Sequence, residues 1–273
     1  MTQRFQQIST FEEEPYSKIL CFPKVKESEV KKRLKELKKL GVTHISFTGP
    51  LQIEKCHILG KGYVGMVVLA KKNNEIVALK IRRIDSPRKN MSNEAKLLQI
   101  VNKLDIGPKF IKNSKNFLVM EYIEGEKIID WAKKTETKSQ EVRSVLNNVL
   151  RECYLLDDAG LDHGELSTLD KHVIVGKNKN TIIDFESSST NRKPSNVTGA
   201  TQGILIGTGL AKIIQKKVKL PPKETIINLI RQYKKNPNLE NFEKITIGLK
   251  LQTPGRFEEE VSLLRSDKKL GPL

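Results

Sequence analysis

The chain has 273 residues, 37% of them hydrophobic and 30% charged, enough to bury a core in two small lobes and too charged for a membrane-spanning class. No apolar run approaches the ~18 residues that a bilayer span requires. Glu12, Glu13 and Glu14 stand where a secretory signal would carry its apolar stretch. Cys21, Cys56 and Cys153 are odd in number and far apart, so they imply no disulfide framework and, with His57, no zinc site. A reduced, cytoplasmic protein without a membrane partner is the expectation.

Lysine and arginine number 49 against 32 aspartates and glutamates, a formal charge of +17. An excess of that size concentrates polyanions near the surface. It leaves two readings open: contact with an RNA or ribonucleoprotein, or the solvated charge of a heat-adapted surface.

In chain order, residues 18–22 and 42–47 read as short strands. Between them Val30, Leu34 and Leu37 recur on one helix face, opposite Lys31, Lys32, Arg33, Lys35, Lys38 and Lys39, and Gly41 marks a stop. This predicts a small β-α-β unit ahead of the main fold. Strands at residues 52–59, 66–70 and 76–81 follow, the last two joined by a bend at Asn73 and Asn74. A helix over residues 88–104 presents Ala95, Leu98 and Val101, and residues 117–122 form a buried strand ended by Glu124 and Gly125. Beyond this the chain turns helical. Val142, Val145, Leu146, Val149, Leu150 and Cys153 make one stripe closed by Gly160, and further helices at residues 203–218 and 224–234 are separated by Pro221 and Pro222. The charged tail after Pro254 is expected to pack loosely.

Gly60, Gly62, Gly65 and Val67 form a G-x-G-x-x-G-x-V string. In a dinucleotide fold the glycines would open a helix; here they open onto a strand, a turn and another strand. A glycine-rich hairpin lets backbone amides approach ATP phosphates without side-chain clashes. Downstream, Val77-Ala-Leu-Lys80 is close to the V-A-I-K strand of protein kinases, and Glu94 on the next helix is the natural partner for a lysine in so apolar a strand. Residues 117–125 then match the strand that leads into a kinase hinge.

The catalytic segment completes the resemblance. His163-Gly-Glu165-Leu-Ser resembles the H-G-D-L-S/T loop of RIO kinases and of the kinase subunit of the KEOPS tRNA-modification complex, and Asp184-Phe-Glu186 stands where kinases carry D-F-G. The resemblance runs from about Leu59 to Glu186 and implies an α+β, two-lobed protein-kinase-like fold. Its parts would be an N-terminal β-α-β extension (residues 1–50), a β-rich N-lobe (51–125) and a helical C-lobe (126–273). It also implies an ATP site formed by Gly60, Gly62, Gly65, Val67, Lys80 and Glu94, with the backbones of Glu121 and Ile123 bonding adenine and Met120 at the back of the pocket. Asp184, alone or with Asp170, would hold Mg2+ or Mn2+, and Lys80, Glu165 and Asp184 would be the catalytic set. By the same resemblance His163 packs and braces the loop.

Three departures bear on activity. Glu165 replaces the family's aspartate and reaches one methylene further. Lys171 or His172 stands where a metal-binding asparagine is expected, and imidazole is a poor ligand for Mg2+. Glu186 replaces glycine, as in aminoglycoside and choline kinases, where it could assist the metal. The run from Ser187 to Thr190, in the place of an activation segment, offers hydroxyls for autophosphorylation or is a plain polar loop. Three functions follow: an atypical Ser/Thr protein kinase or ATPase with an unknown protein substrate, a small-molecule kinase, or an ATP-binding pseudokinase scaffold on an RNA or ribonucleoprotein complex.

Overall fold

The computed structural model describes residues 4–206 and 208–251, and the chain divides into two units, Met1–Gln99 with Pro108–Ile123 and Ile100–Gly107 with Glu124–Leu273. The first unit contains β1 (Phe5–Gln7), α1 (Tyr16–Leu20), α2 (Glu27–Leu40), β2 (Val42–Ser46), β3 (Leu51–Ile53), β4 (Cys56–Ile58), β5 (Gly60–Lys61), β6 (Gly65–Lys72) and β7 (Glu75–Arg82). After α3 (Ser92–Asn102), which begins in this unit, come β8 (Phe110–Asn113) and β9 (Phe117–Glu121). A seven-stranded antiparallel sheet runs β1-β2-β6-β7-β9-β8, with β5 also paired to β6.

The central hairpin is written locally. Asn73 and Asn74 both take left-handed φ, 49° and 68°, the pair of angles that a two-residue turn matched to strand twist demands. Alternation then sends Met66, Val68 and Ala70 of β6 and Val77, Leu79 and Ile81 of β7 into the core, where Val30, Leu34, Leu37 and Leu40 of α2 meet them. Gly41 ends α2 with φ 80°.

The N-terminal part differs from the strand-helix-strand reading. Residues 18–22 are not a strand: Ile19, Leu20 and Cys21 are fully buried along the short helix α1 and its end. β2 pairs with β1 on one side and with β6 on the other, so both β1 and β2 belong to the large sheet. Residues 52–59 form the small hairpin β3–β4 rather than one strand.

Arg33 also departs from expectation. It does not join the lysine face but is 0% exposed, donating to the carbonyls of Leu20 (2.5 Å) and Arg82 (2.6 Å) and to Asn116 Oδ1 (3.2 Å). Glu29 lies 3.2 Å from its Nε. Asn116 Oδ1 also accepts from Arg82, while its amide donates to Glu36 Oε1 at 2.6 Å. Five side chains from a helix, a strand and a loop thus share one network centred on the fully buried Arg33.

The second unit contains β10 (Glu126–Lys127), α4 (Ile128–Lys133), α5 (Ser139–Asp158), α6 (Leu169–His172), β11 (Val173–Val175), β12 (Asn180–Ile182), α7 (Asn196–Leu205), α8 (Gly209–Lys217), α9 (Lys223–Lys235) and α10 (Leu239–Gly248). β10, β11 and β12 make a small antiparallel sheet. The α5 stripe is buried as its period requires, and Gly160 beyond it has φ 74°. The helix expected over residues 203–218 is two helices, the second capped by the Thr208 hydroxyl accepting from Ala211 N at 2.9 Å. No single helix among the described residues is long and apolar enough to cross a membrane. The three cysteines are buried and unbridged, and burial raises their thiol pKa values, that of Cys56 to about 11. The tail after Pro254 lies outside the described residues.

Arg33→Met keeps the side-chain length but strands two buried carbonyls. The expected loss is about 3 kcal/mol or more, read by urea denaturation; a variant within ~0.5 kcal/mol of the parent would mean that the network carries no stability.

Candidate functional site

The first unit supplies a cationic centre behind a glycine hairpin. Gly62 N donates to Gly65 O at 2.8 Å, closing the turn between β5 and β6, and Tyr63 at its tip is exposed. Val67 sits opposite Lys80 in the β6–β7 register. Gly65 is required by space: a Cβ there would lie 2.8 Å from the Ile81 carbonyl oxygen and 3.3 Å from Lys80 Cγ. Lys80 is 3% exposed, and its Nζ lies 2.7 Å from Glu94 Oε1 on α3. Burial disfavours the charged form of such an ammonium, and the facing carboxylate favours it. At the end of β9, Glu121 N is engaged by the Lys109 carbonyl at 2.9 Å, while the Ile123 amide has no partner among the described residues.

The second unit supplies a carboxylate loop. Asp162 and Ser189 exchange backbone hydrogen bonds of 2.9 and 2.8 Å, tying the loop to the segment that follows Asp184. The Asp162 carboxylate accepts from Arg192 Nε (2.8 Å) and from the Ser195 amide (3.1 Å). Asn196, at the start of α7, accepts from His163 N and donates to Leu161 O and to Asp157, which also accepts from the Tyr233 hydroxyl. Burial raises the Asp157 pKa against these hydrogen bonds. Gly164 has φ 89°, and a Cβ on it would come within 2.6 Å of Arg192 Nη2 and 2.9 Å of Ser187 O. That close approach puts the Ser187 hydroxyl 2.5 Å from Glu165 Oε1. On its other side, His172 Nε2 lies 3.0 Å from Glu165 Oε2, an ion-pair distance at an angle too oblique for a hydrogen bond.

Asp184 takes left-handed backbone angles, φ 70° and ψ 71°, a conformation that costs a non-glycine residue of order 1 kcal/mol and recurs at functional positions. Asp170 lies half-buried on α6. No cluster of three or more His, Cys, Asp or Glu side chains suited to a metal occurs among the described residues. Mg2+ is commonly held by one or two carboxylates and completed by phosphate and water oxygens, a role open to the Asp184 and Asp170 side chains by their chemistry.

His163 is fully buried, its Nε2 3.1 Å from the Ile183 carbonyl and its ring packed edgewise on Phe185 and His172. Burial, then the neighbouring His172, lower its pKa to about 4, so it braces the loop as a neutral ring. An unfolded histidine titrates near 6.5. Between the two values the unfolded chain binds a proton that the native chain refuses, so this contribution is full above pH 6.5 and lost as pH falls toward 4. His163→Gln is expected to flatten the fall in stability over that window by about one proton's worth, measured by denaturant titration at several pH values; an unchanged slope would assign it to other groups.

The residues that sequence reading singled out therefore lie in two sets, Gly60, Gly62, Gly65, Val67, Lys80, Glu94, Glu121 and Ile123 in the first unit and Glu165, Asp170 and Asp184 in the second. That reading named His172 for the asparagine position and Ser187 for the activation segment, and did not pair either with Glu165. The RIO domain family model matches residues 69–198, which contain all of these except the four residues of the glycine hairpin. An uncharacterized protein of Methanocaldococcus jannaschii, MJ1211, is 29% identical over 117 residues, 42% of this chain and 96% of that protein.

Proposed function

We propose, from the match of the RIO domain family model to residues 69–198, that this chain is an atypical kinase of that kind, which binds Mg-ATP and transfers its γ-phosphoryl group to a serine or threonine hydroxyl of a protein. The observation that carries the reading is the buried Lys80–Glu94 ion pair, 2.7 Å long and set behind a hairpin that only glycine permits at position 65. Bound Mg-ATP would supply the phosphoryl group and neutralise its charge. Lys80, fixed by Glu94, would bind the α- and β-phosphate oxygens, and the hairpin amides would line the phosphates. The Glu121 carbonyl and the Ile123 amide would take the adenine edge. Asp184, helped by Asp170, would hold the metal. Glu165 would orient the acceptor hydroxyl and accept its proton at a carboxylate oxygen, which is within the chemistry of a glutamate at neutral pH.

Mg-ATP at about 100 times its dissociation constant is expected to stabilise the protein by about 2.7 kcal/mol, seen as a rise in Tm. Lys80→Ala is expected to remove that shift. Glu165→Gln is expected to keep it while lowering transfer to a protein acceptor by about 10²- to 10⁴-fold. A Tm indifferent to ATP, ADP, Mg2+ and Mn2+ would refute the binding site.

A second reading, an ATP-binding scaffold on RNA or a ribonucleoprotein, is favoured by α2. Lys31, Lys32, Lys35, Lys38 and Lys39 are exposed there, with no side-chain ion pair among the described residues. Binding of structured RNA should weaken with salt, with a slope of about 0.7 to 0.9 per phosphate neutralised. Replacing the five lysines by glutamate should weaken it on every sequence. Affinity indifferent to salt and to these changes would leave them as solvated surface.

A further inference from the structure

The geometry points to His172, together with Ser187, as a positioning residue that holds the Glu165 carboxylate in its working orientation, an inference that rests on Glu165 acting in phosphoryl transfer as proposed above. His172 is 5% exposed, and neither of its ring nitrogens has a hydrogen-bond partner. A buried polar atom left alone costs about 1–3 kcal/mol. The acidic group that meets its Nε2 is Glu165, at 3.0 Å. A small rotation of either side chain turns that approach into a hydrogen bond, and such bonds commonly tighten only when the reacting complex forms. The opposite carboxylate oxygen accepts from the Ser187 hydroxyl at 2.5 Å, so one oxygen of Glu165 is held from the turn after Asp184 and the other is approached from α6.

The arrangement accounts for two departures from the kinase pattern at once. Glutamate has one more rotatable bond than aspartate, and a reacting carboxylate displaced by about 1 Å can lose on the order of 100-fold in rate. A longer arm therefore needs a brace that aspartate would not. His172, at or beside the place where the pattern has its asparagine, is turned to Glu165. The His163 ring packs edgewise against His172, 5.3 Å between centroids, and limits where its imidazole can move.

The test is steady-state transfer from Mg-ATP to dephosphorylated casein. His172→Ala should lower kcat about 10- to 100-fold with the KM for ATP unchanged. His172→Gln places an amide N–H near the position of Nε2 and should recover most of that loss. Ser187→Ala should also lower kcat, and the His172→Ala/Ser187→Ala pair should lose less than the product of the single effects, since both act on one carboxylate. In a Glu165→Gln background His172→Ala should change nothing further. Wild-type kcat in His172→Ala, or an equal loss in the Glu165→Gln background, overturns the assignment. If wild type and Glu165→Gln turn over at one background rate, the proposed function fails instead. The imidazole NMR signals of His172 then still decide the contact: they should shift on Glu165→Gln, and signals that do not move overturn it.

Discussion

An ammonium group in the middle of an apolar strand is the constraint around which the first unit is arranged. Lys80 lies on β7 between Leu79 and Ile81, both fully buried, and a lone charge there would shed its proton or draw in water. Glu94 on α3 meets the charge, which fixes where the helix must lie against the sheet. Gly65 on β6 leaves room for the lysine stem to pass, which fixes which residue the hairpin can carry at that place. Removing one member of such a pair strands the other, at a cost of about 3–5 kcal/mol, so the requirement for charge at Lys80 is also a requirement on the fold.

The second unit solves a different problem, that of holding a carboxylate loop without a regular element beneath it. Its rigidity comes from polar side chains that bond backbone: Asn196 grips the His163 amide and the Leu161 carbonyl, and Asp162 grips Arg192 and Ser195. Each of these side chains lies outside a helix interior, where its hydrogen-bonding capacity is free to organise a loop. Neutral His163 adds an apolar wall. Glu165 stands at the end of this scaffold, its carboxylate about two-fifths exposed and so able to meet an acceptor.

What was legible in the sequence was local. The Asn73-Asn74 turn, the alternation around it and the α5 stripe depend on neighbours within a few residues, and the structure has them as periodicity predicts. Residues 18–22 were ambiguous for the same reason: a short apolar run suits a buried strand and a buried helical turn equally. Arg33 shows charge misleading where spacing was right. Val30, Arg33, Leu34, Leu37 and Leu40 share one buried face of α2, and a charged residue within that spacing was read as solvated because its partners, Asn116 and the Leu20 and Arg82 carbonyls, are distant in sequence. The partners of Glu165 were hidden likewise. The position of His172 in the kinase pattern was visible, but which carboxylate its ring would face depends on the turn of α6.

The Arg33 network has an implication for cooperativity. Residues 33, 36, 82 and 116 are far apart along the gene, yet each satisfies a polar group that another leaves buried. A change at one strands the polar groups of the others, whereas apolar replacement of all of them leaves no charge without a partner. Substitutions at the four positions are therefore expected to be strongly non-additive in stability, each single loss larger than its share of the combined change. Through Arg33 the helix that carries it is bonded to the end of β7 and to the loop before β9, so α2 is expected to melt with the sheet it covers and not as a separate appendage.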